Sequence, residues 1–301
     1  MPSKALLHPG EVLDEIRAVA GAREAADGQL AVQAVLDNRD AIISDLDDSS
    51  QVPWLEDNDI SLFRGHGRIA GEKRVVVGDE ELLARIAVVI AIGSEPTLPD
   101  VEGLSHANPW TNREATTSKI VPGRLLIIGG GVVGAEMAQA YTSLGAKVTV
   151  FQRGTQLLAK EEPWAAEQVA ARLREQGTEI VSNAEVAKVE RRGGTGDVTV
   201  RLQDGRSFTG DELLVAIGRH IDSDGRASTR SGYSWASTAT WPLTSTCRSP
   251  ATTGSGSSGT PRVAPCSRTW PSTRPEWPPT GSPASQTPRS GTAPTALARR
   301  G

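Results

Sequence analysis

The stretch LLIIGGGVVGAEMA, Leu125 to Ala138, reads as an apolar strand that runs into three glycines and continues as a helix. The helical pattern extends to about Leu144, Gly145 stops it, and KVTVF, Lys147 to Phe151, supplies a second strand. That is the grammar of a βαβ unit. Downstream, a charged helix is predicted from about Pro163 to Gln176 and ended by Gly177. The runs EIV, AEVAKVE and DVTVRL, a turn at Asp204 and Gly205, and ELLVAIG then carry the unit to its close near Arg219. Upstream, Ser94 to Pro122 has four prolines and no sustained period, which suits a linker. Before it, ISLF, RVVV and IAVVIAIG read as strands of one sheet. Two amphipathic helices open the chain, one marked by Val12, Ile16 and Val19, the other by Val32, Val35, Ile42 and Leu46. The fold class is α/β.

Gly129, Gly131 and Gly134 form G-x-G-x-x-G directly after a strand and directly before a helix. In that setting the three glycines serve three different ends, namely the tight turn, close approach of a pyrophosphate, and close packing of helix on strand. The helix amino terminus, at Val132 and Val133, offers free N–H groups and a positive dipole end to phosphates. The stretch is therefore expected to bind a dinucleotide. The competing reading is a glycine-rich turn without a ligand. At the end of the second strand, an NAD site places an acid that bonds the ribose hydroxyls. Here stand Gln152 and Arg153. Gln152 can accept one hydroxyl, and Arg153 offers a cationic fork suited to a 2′-phosphate, so NADP is slightly favoured over NAD. The alternative for Arg153 is a solvated surface arginine.

Composition bounds the remainder. The 301 residues are 38% apolar and 23% charged, an ordinary globular average that hides a sharp division. After Gly225 there are 9 Arg against a single acid, Glu276, which leaves 23 basic residues against 35 acidic ones before it. The rear stretch has no Ile, Phe, Lys, Asp, Asn, His or Met, so it cannot bury enough apolar surface to offset its ordering entropy, and disorder is expected there. No apolar run is long enough to span a membrane, no signal peptide is visible, and the expected location is cytoplasmic. The two cysteines, Cys247 and Cys266, both lie in the rear stretch, so residues 1–246 hold no thiol nucleophile. His8, His66, His106 and His220 are scattered without ligand spacing, and no metal site is expected. Asp45, Asp47 and Glu56 fall at calcium-loop spacing, but Ser50 stands where the sharp turn needs glycine, which points to a solvated helix end.

Four motifs in order resemble the pyridine nucleotide-disulfide oxidoreductases, the flavoproteins of the dihydrolipoamide dehydrogenase and mercuric reductase type. They are PSKALL at Pro2 to Leu7, AIGSEPTLP at Ala91 to Pro99, GGGVVGAEMA at Gly129 to Ala138, and AIGRHID at Ala216 to Asp222. The resemblance covers about residues 1–222. It implies that Lys4 lies near the flavin and pairs with Glu136 of the glycine-rich helix; the plainer alternative for each is a solvated helix charge. It implies that Ala91, Gly93 and Ser94 pass near FAD, with Ile92 where the family has Thr. It also implies that Gly218 touches NAD(P) through its backbone. The family's first flavin strand, its own glycine turn and its Cys-x4-Cys pair precede PSKALL, so the chain is expected to be truncated at its amino end. The second flavin segment and the carboxy-terminal dimer domain are likewise missing from the pattern.

The rear stretch has the composition of G+C-rich coding DNA read in an incorrect frame. Taking its codons one base out of step permits a string containing VIGD and LLTHMAKYQA, which resembles the missing flavin segment, so a frameshift is expected at about Asp222 to Gly225. A basic nucleic-acid arm or a Pro-rich docking segment are the alternatives. The expected organisation is an incomplete FAD-domain remnant at 1–100, a linker at 101–122, a Rossmann-like NAD(P)-binding domain at 123–222, and a disordered, out-of-frame tail at 223–301. The expected function is that of a fragment of an FAD-dependent NAD(P)H oxidoreductase, which passes hydride from NAD(P)H to flavin to a disulfide. As given, the chain is expected to be inactive in disulfide reduction, with no catalytic residue of its own, FAD not retained, and NAD(P)H as partner. No nucleic-acid or membrane partner is expected. With the dimer interface absent, the chain is expected to be monomeric or prone to aggregate. The competing readings are a non-catalytic NAD(P)-binding module and the nonfunctional product of a damaged gene.

Overall fold

The computed structural model describes residues 2–26, 28–194 and 196–220. In chain order, the amino-terminal region holds helices α1 (Pro2–Ala18), α2 (Val32–Ile42) and α3 (Val52–Asp57), then strands β1 (Gly67–Gly71), β2 (Arg74–Val77), β3 (Glu80–Leu83) and the short β4 (Glu95–Pro96). Helix α4 (Asn112–Thr117) leads into β5 (Arg124–Ile128), α5 (Val132–Ser143), β6 (Lys147–Gln152), α6 (Pro163–Glu175) and β7 (Glu179–Ser182). Strands β8 (Val186–Arg191), β9 (Val198–Leu202), β10 (Ser207–Gly210), β11 (Glu212–Val215) and β12 (Arg219–His220) follow.

Strands β11, β5, β6 and β7 form a parallel sheet in that order, with Leu125 opposite Val148 and Glu212. Side chains alternate across it with period two. Leu125, Ile127, Val148, Val150 and Leu214 pack with Met137, Ala138 and Tyr141 of α5 and Ala170 and Leu173 of α6. Leu126, Ile128, Phe151, Leu213 and Val215 face the other way, against Val189, Val198, Val200 and Leu202 of the antiparallel β10-β9-β8 sheet. Cover on both faces is why LLII contains no polar residue.

Residues 101–122, read from their prolines as a linker, are part of this core. Leu104 and Ala107 are buried under the antiparallel sheet, and Ala115 under α5. The Trp110 N–H donates to Leu213 O at 2.7 Å and its carbonyl accepts from Val215 N–H at 2.9 Å, which extends the parallel sheet by one bridge. Thr111 and Glu114 form a reciprocal capping box on α4. That T-x-x-E pattern was available in the sequence as a helix start.

The amino-terminal helices pack differently from their expected stripes. Helix α1 buries Ala5, Leu6 and Leu7, the two leucines against Val35 and Leu36 of α2, Ala140 of α5 and Leu144 just after it. Val12, Ile16 and Val19, the predicted apolar face, are exposed, as are Ile42 and Leu46. The contact is fixed by close approach at Gly10, where a Cβ would sit 2.7 Å from Ser143 Cβ, rather than by the helix's own periodicity.

Of the three predicted strands before the supposed linker, RVVV alone forms, as β2 at the centre of an antiparallel β1-β2-β3 sheet. ISLF lies outside any strand. So does IAVVIAIG, with Ile86 88% and Val89 87% exposed. A strand is stable only with neighbours that take up its backbone groups and cover its side chains, and among the described residues this run has none. The disorder and frameshift expected for 223–301 lie outside the described residues.

Candidate functional site

The turn between β5 and α5 shows three glycines under three different constraints. Gly129 has φ +112°, and a Cβ there would overlap the Ala216 carbonyl. Its N–H donates to Phe151 O at 2.9 Å, so the turn is tied to β6 on one side and crowded by the end of β11 on the other. Gly134, the third residue of α5, is packed so tightly that a Cβ would overlap the Gly129 carbonyl oxygen. Gly131 is the opposite case: a Cβ there meets nothing within 4 Å. Two glycines are thus demanded by the protein itself, and the third opens a space at the helix end.

That helix end is free. Gly131 is the N-cap of the 12-residue α5 and has no side-chain cap, while Ala135 N–H makes the first internal bond, to Gly131 O at 2.9 Å. The N–H groups of the first turn, including those of Val132 and Val133, therefore point past the helix end without an intrahelical acceptor, and the helix dipole adds positive potential there. Val132 and Val133 are both exposed. The arrangement suits a pyrophosphate, which needs donors, positive potential and room for its oxygens. The residues present fit a dinucleotide.

Gln152 ends β6 beside this turn. Its Oε1 accepts from Gly130 N–H at 3.0 Å, so the oxygen expected to take a ribose hydroxyl already serves the glycine turn. The carbonyl oxygen keeps a second lone pair, with which it can still accept a hydroxyl. Arg153 is exposed and forms no ion pair among the described residues.

Lys4 and Glu136, 132 positions apart, meet at 2.6 Å between Nζ and Oε1. Helix α1 packs across α5, which brings the second turn of the glycine-rich helix to the start of the chain. The hydrogen bond and charge of Glu136 raise the Lys4 amine above its ordinary range.

A second junction joins the two crossings between the halves. Strand β12 pairs antiparallel with β4, His220 opposite Glu95 and Arg219 opposite Pro96. Gly218 O accepts from Thr97 N–H at 3.0 Å. The Arg219 guanidinium donates to Ser94 Oγ at 2.8 Å, to Asn112 Oδ1 at 2.7 Å and to Ser94 O. The fold thus brings Ser94 and Gly218 together. Ala91 and Gly93 remain exposed on the unpaired run.

Sequence reasoning missed Arg219, Asn112 and Arg39. Arg39 of α2 is fully buried and donates to Thr116 O at 2.6 Å, Ser118 O at 2.8 Å and Asp40 Oδ1 at 2.7 Å, which clamps α2 to the end of α4. A lone Arg on a polar helix carries no local sign of such a contact.

A parallel sheet with a free glycine-lined helix end at its carboxyl edge defines a dinucleotide-binding α/β protein. The chain belongs to the pyridine nucleotide-disulphide oxidoreductase family, whose family model matches residues 1–249. Mercuric reductase from Lysinibacillus sphaericus is 30% identical over 227 residues, which cover 74% of this chain and 41% of that protein. Dihydrolipoyl dehydrogenase from Acholeplasma laidlawii is 28% identical over 233 residues, covering 75% and 67%. The HOCl-induced flavoprotein disulfide reductase RclA from Escherichia coli matches in fold with a TM-score of 0.67 at 21% identity, covering 78% of this chain and 50% of that one. The chain thus spans well under half of the mercuric reductase it matches. Among the described residues no helix is long and apolar enough to cross a membrane.

Proposed function

We propose that this chain binds NAD(P)H at the Gly129–Gly134 turn as the nucleotide-binding part of a flavin-dependent oxidoreductase of the dihydrolipoyl dehydrogenase type. The observation that carries the reading is the division of labour among the glycines, two fixed by contacts within the protein and one, Gly131, facing open space before uncapped N–H groups. Bound NAD(P)H supplies a hydride donor. The chain's own residues hold it: α5 N–H groups take the pyrophosphate, Gly131 lets it approach, and the strand end at Gln152 and Arg153 meets the adenosine ribose. Arg153, with no acid beside it at the strand end, supports a preference for NADP.

As given, the chain does not reduce disulfides, because residues 1–246 contain no cysteine. It does not retain FAD; the exposure of Ala91 and Gly93 and the unpaired run before them support this. The same two observations favour a second reading, a non-catalytic NAD(P)-binding module. Isothermal titration of the full chain with NADPH and NADH tests the first proposal: binding is expected for at least one of them and is lost in Gly131→Val. Absence of binding to both by a folded sample overturns it. A purified chain with the visible absorption of bound flavin overturns the module reading, and NADPH-dependent lipoamide reduction overturns the inactivity.

A further inference from the structure

The run Ile86–Ile92 is held between two fixed points. Just after β3, Ala84 N–H donates to Lys73 O at 2.8 Å, and beyond the run β4 pairs with β12. Among the described residues no backbone group of residues 86–93 finds a hydrogen-bond partner, and every residue of 86–92 except Ile90 is exposed. Proteins guard a bare strand edge with charges, proline or a bulge, yet Ile86–Ile92 holds no charge, no proline and no glycine. Ile86, Val88, Val89, Ile90 and Ile92 are β-branched, which favours a strand as soon as a neighbour is present.

The order of the residues indicates what that neighbour is. About Val89 the run is nearly its own mirror image: Ala87 answers Ala91, Ile86 answers Ile92, and Val88 answers Ile90, the one unequal pair. We propose that the run is a self-association surface, on which the same run of a second copy seats as an antiparallel strand with Val89 on the two-fold axis. Such an axis requires that where residue i meets j, residue j meets i. The mirror order satisfies this with side chains of like size in every pair. Side chains alternate across a strand, so Ala87, Val89 and Ala91 of both copies share one face, and Ile86, Val88, Ile90 and Ile92 share the other. Backbone groups left bare in one chain are then taken up by its copy. No charge stands between Arg85 and Glu95 to repel the second copy or to select an unlike partner. The surface is independent of the nucleotide reading.

Sedimentation of the full chain from about 1 to 100 μM is expected to show a monomer–dimer equilibrium, a transient one because a pair of short strands is a small interface. Val89→Lys sets two like charges face to face on the axis. It is expected to weaken dimerisation by about tenfold or more, with the melting temperature of the dilute chain unchanged. Pairing order is read by cross-linking in a Cys247→Ser, Cys266→Ser background. Chains with Ile86→Cys are expected to join chains with Ile92→Cys through a short bis-maleimide and not to join one another, since the two copies of position 86 stand about 20 Å apart along the pair. If V89K melts early, the cross-links decide alone. A monomer at every concentration, a dimer untouched by folded V89K, or I86C chains that link to one another as readily as to I92C chains overturns the proposal. Strong protection of the 86–92 amides from hydrogen exchange in the monomer also overturns it, because another part of the same chain then covers the run.

Discussion

LLII at Leu125–Ile128 and IAVVIAI at Ile86–Ile92 look alike as sequences, yet the first is a fully buried strand run and the second is in no strand at all. The first has β6 and β11 on either side, helices α5 and α6 on one face and an antiparallel sheet on the other. The second has none of these among the described residues. An apolar run is a demand for neighbours, and whether it becomes a strand depends on residues far away in the chain. The same contrast runs through the helices. In α5 the whole inner face is buried, whereas α1 buries its first turns and leaves Val12 and Ile16 to solvent.

The comparison breaks first at its strands. Ile127→Ala is expected to cost about 2–5 kcal/mol, since it empties a fully buried position. Val89→Ala is expected to stay within about 0.5 kcal/mol, as for any exposed site. Denaturant midpoints measured on both variants check the pair; a similar loss at Val89 would mean that the run is covered after all.

Next comes the turn. Gly134→Ala forces a Cβ onto the Gly129 carbonyl, and a loss of about 1–3 kcal/mol is expected, accompanied by weaker nucleotide binding. Gly131→Ala, with open space around its Cβ, is expected to leave stability nearly unchanged while weakening nucleotide binding. Stability and binding are thus expected to separate between two glycines three residues apart.

A third test sharpens the boundary between the regions. Arg39→Ala leaves the Thr116 and Ser118 carbonyls without their donor, at an expected cost of about 1–3 kcal/mol. Hydrogen exchange should show faster opening of α2 with little change in β5. Equal acceleration in both would show that the halves open as one unit.

The smallest effect belongs to Lys4 and Glu136, an exposed pair. Glu136 raises the lysine's folded-state pKa, so the pair's contribution is complete below the ordinary lysine range and is lost as pH rises through the raised value. The difference in melting temperature between wild type and Lys4→Met is expected to be small at neutral pH and to vanish in strongly alkaline buffer. A difference that grows with pH would contradict the ion pair.

The βαβ unit was legible because each of its signals is local: an apolar strand, glycines at fixed offsets, and a stop at Gly145, all within about twenty residues of one another. The elements as read, from β5 to β9 and β11, agree with the fold to within a few residues. The ion pair of Lys4 with Glu136 was legible only through the resemblance, since no local rule joins positions 132 apart. Residues 101–122 were misread for a related reason: the four prolines of Ser94 to Pro122 suppress periodicity, but Leu104, Ala107 and Ala115 are buried one at a time by partners elsewhere.

By itself, then, the sequence determined that a glycine turn joins a strand to a helix and that no thiol precedes Cys247, because conformational sterics and chemical composition are properties of the chain alone. Tertiary structure decided which apolar runs are core and which are surface, where Arg39 and Arg219 fasten, and which atom of the Gln152 amide meets the glycine turn. Each of those is settled by an acceptor, a donor or a covering side chain supplied by another element. The amide makes the point at the scale of one residue: its two ends are equivalent in the sequence, and only the Gly130 N–H, 22 positions away, tells them apart.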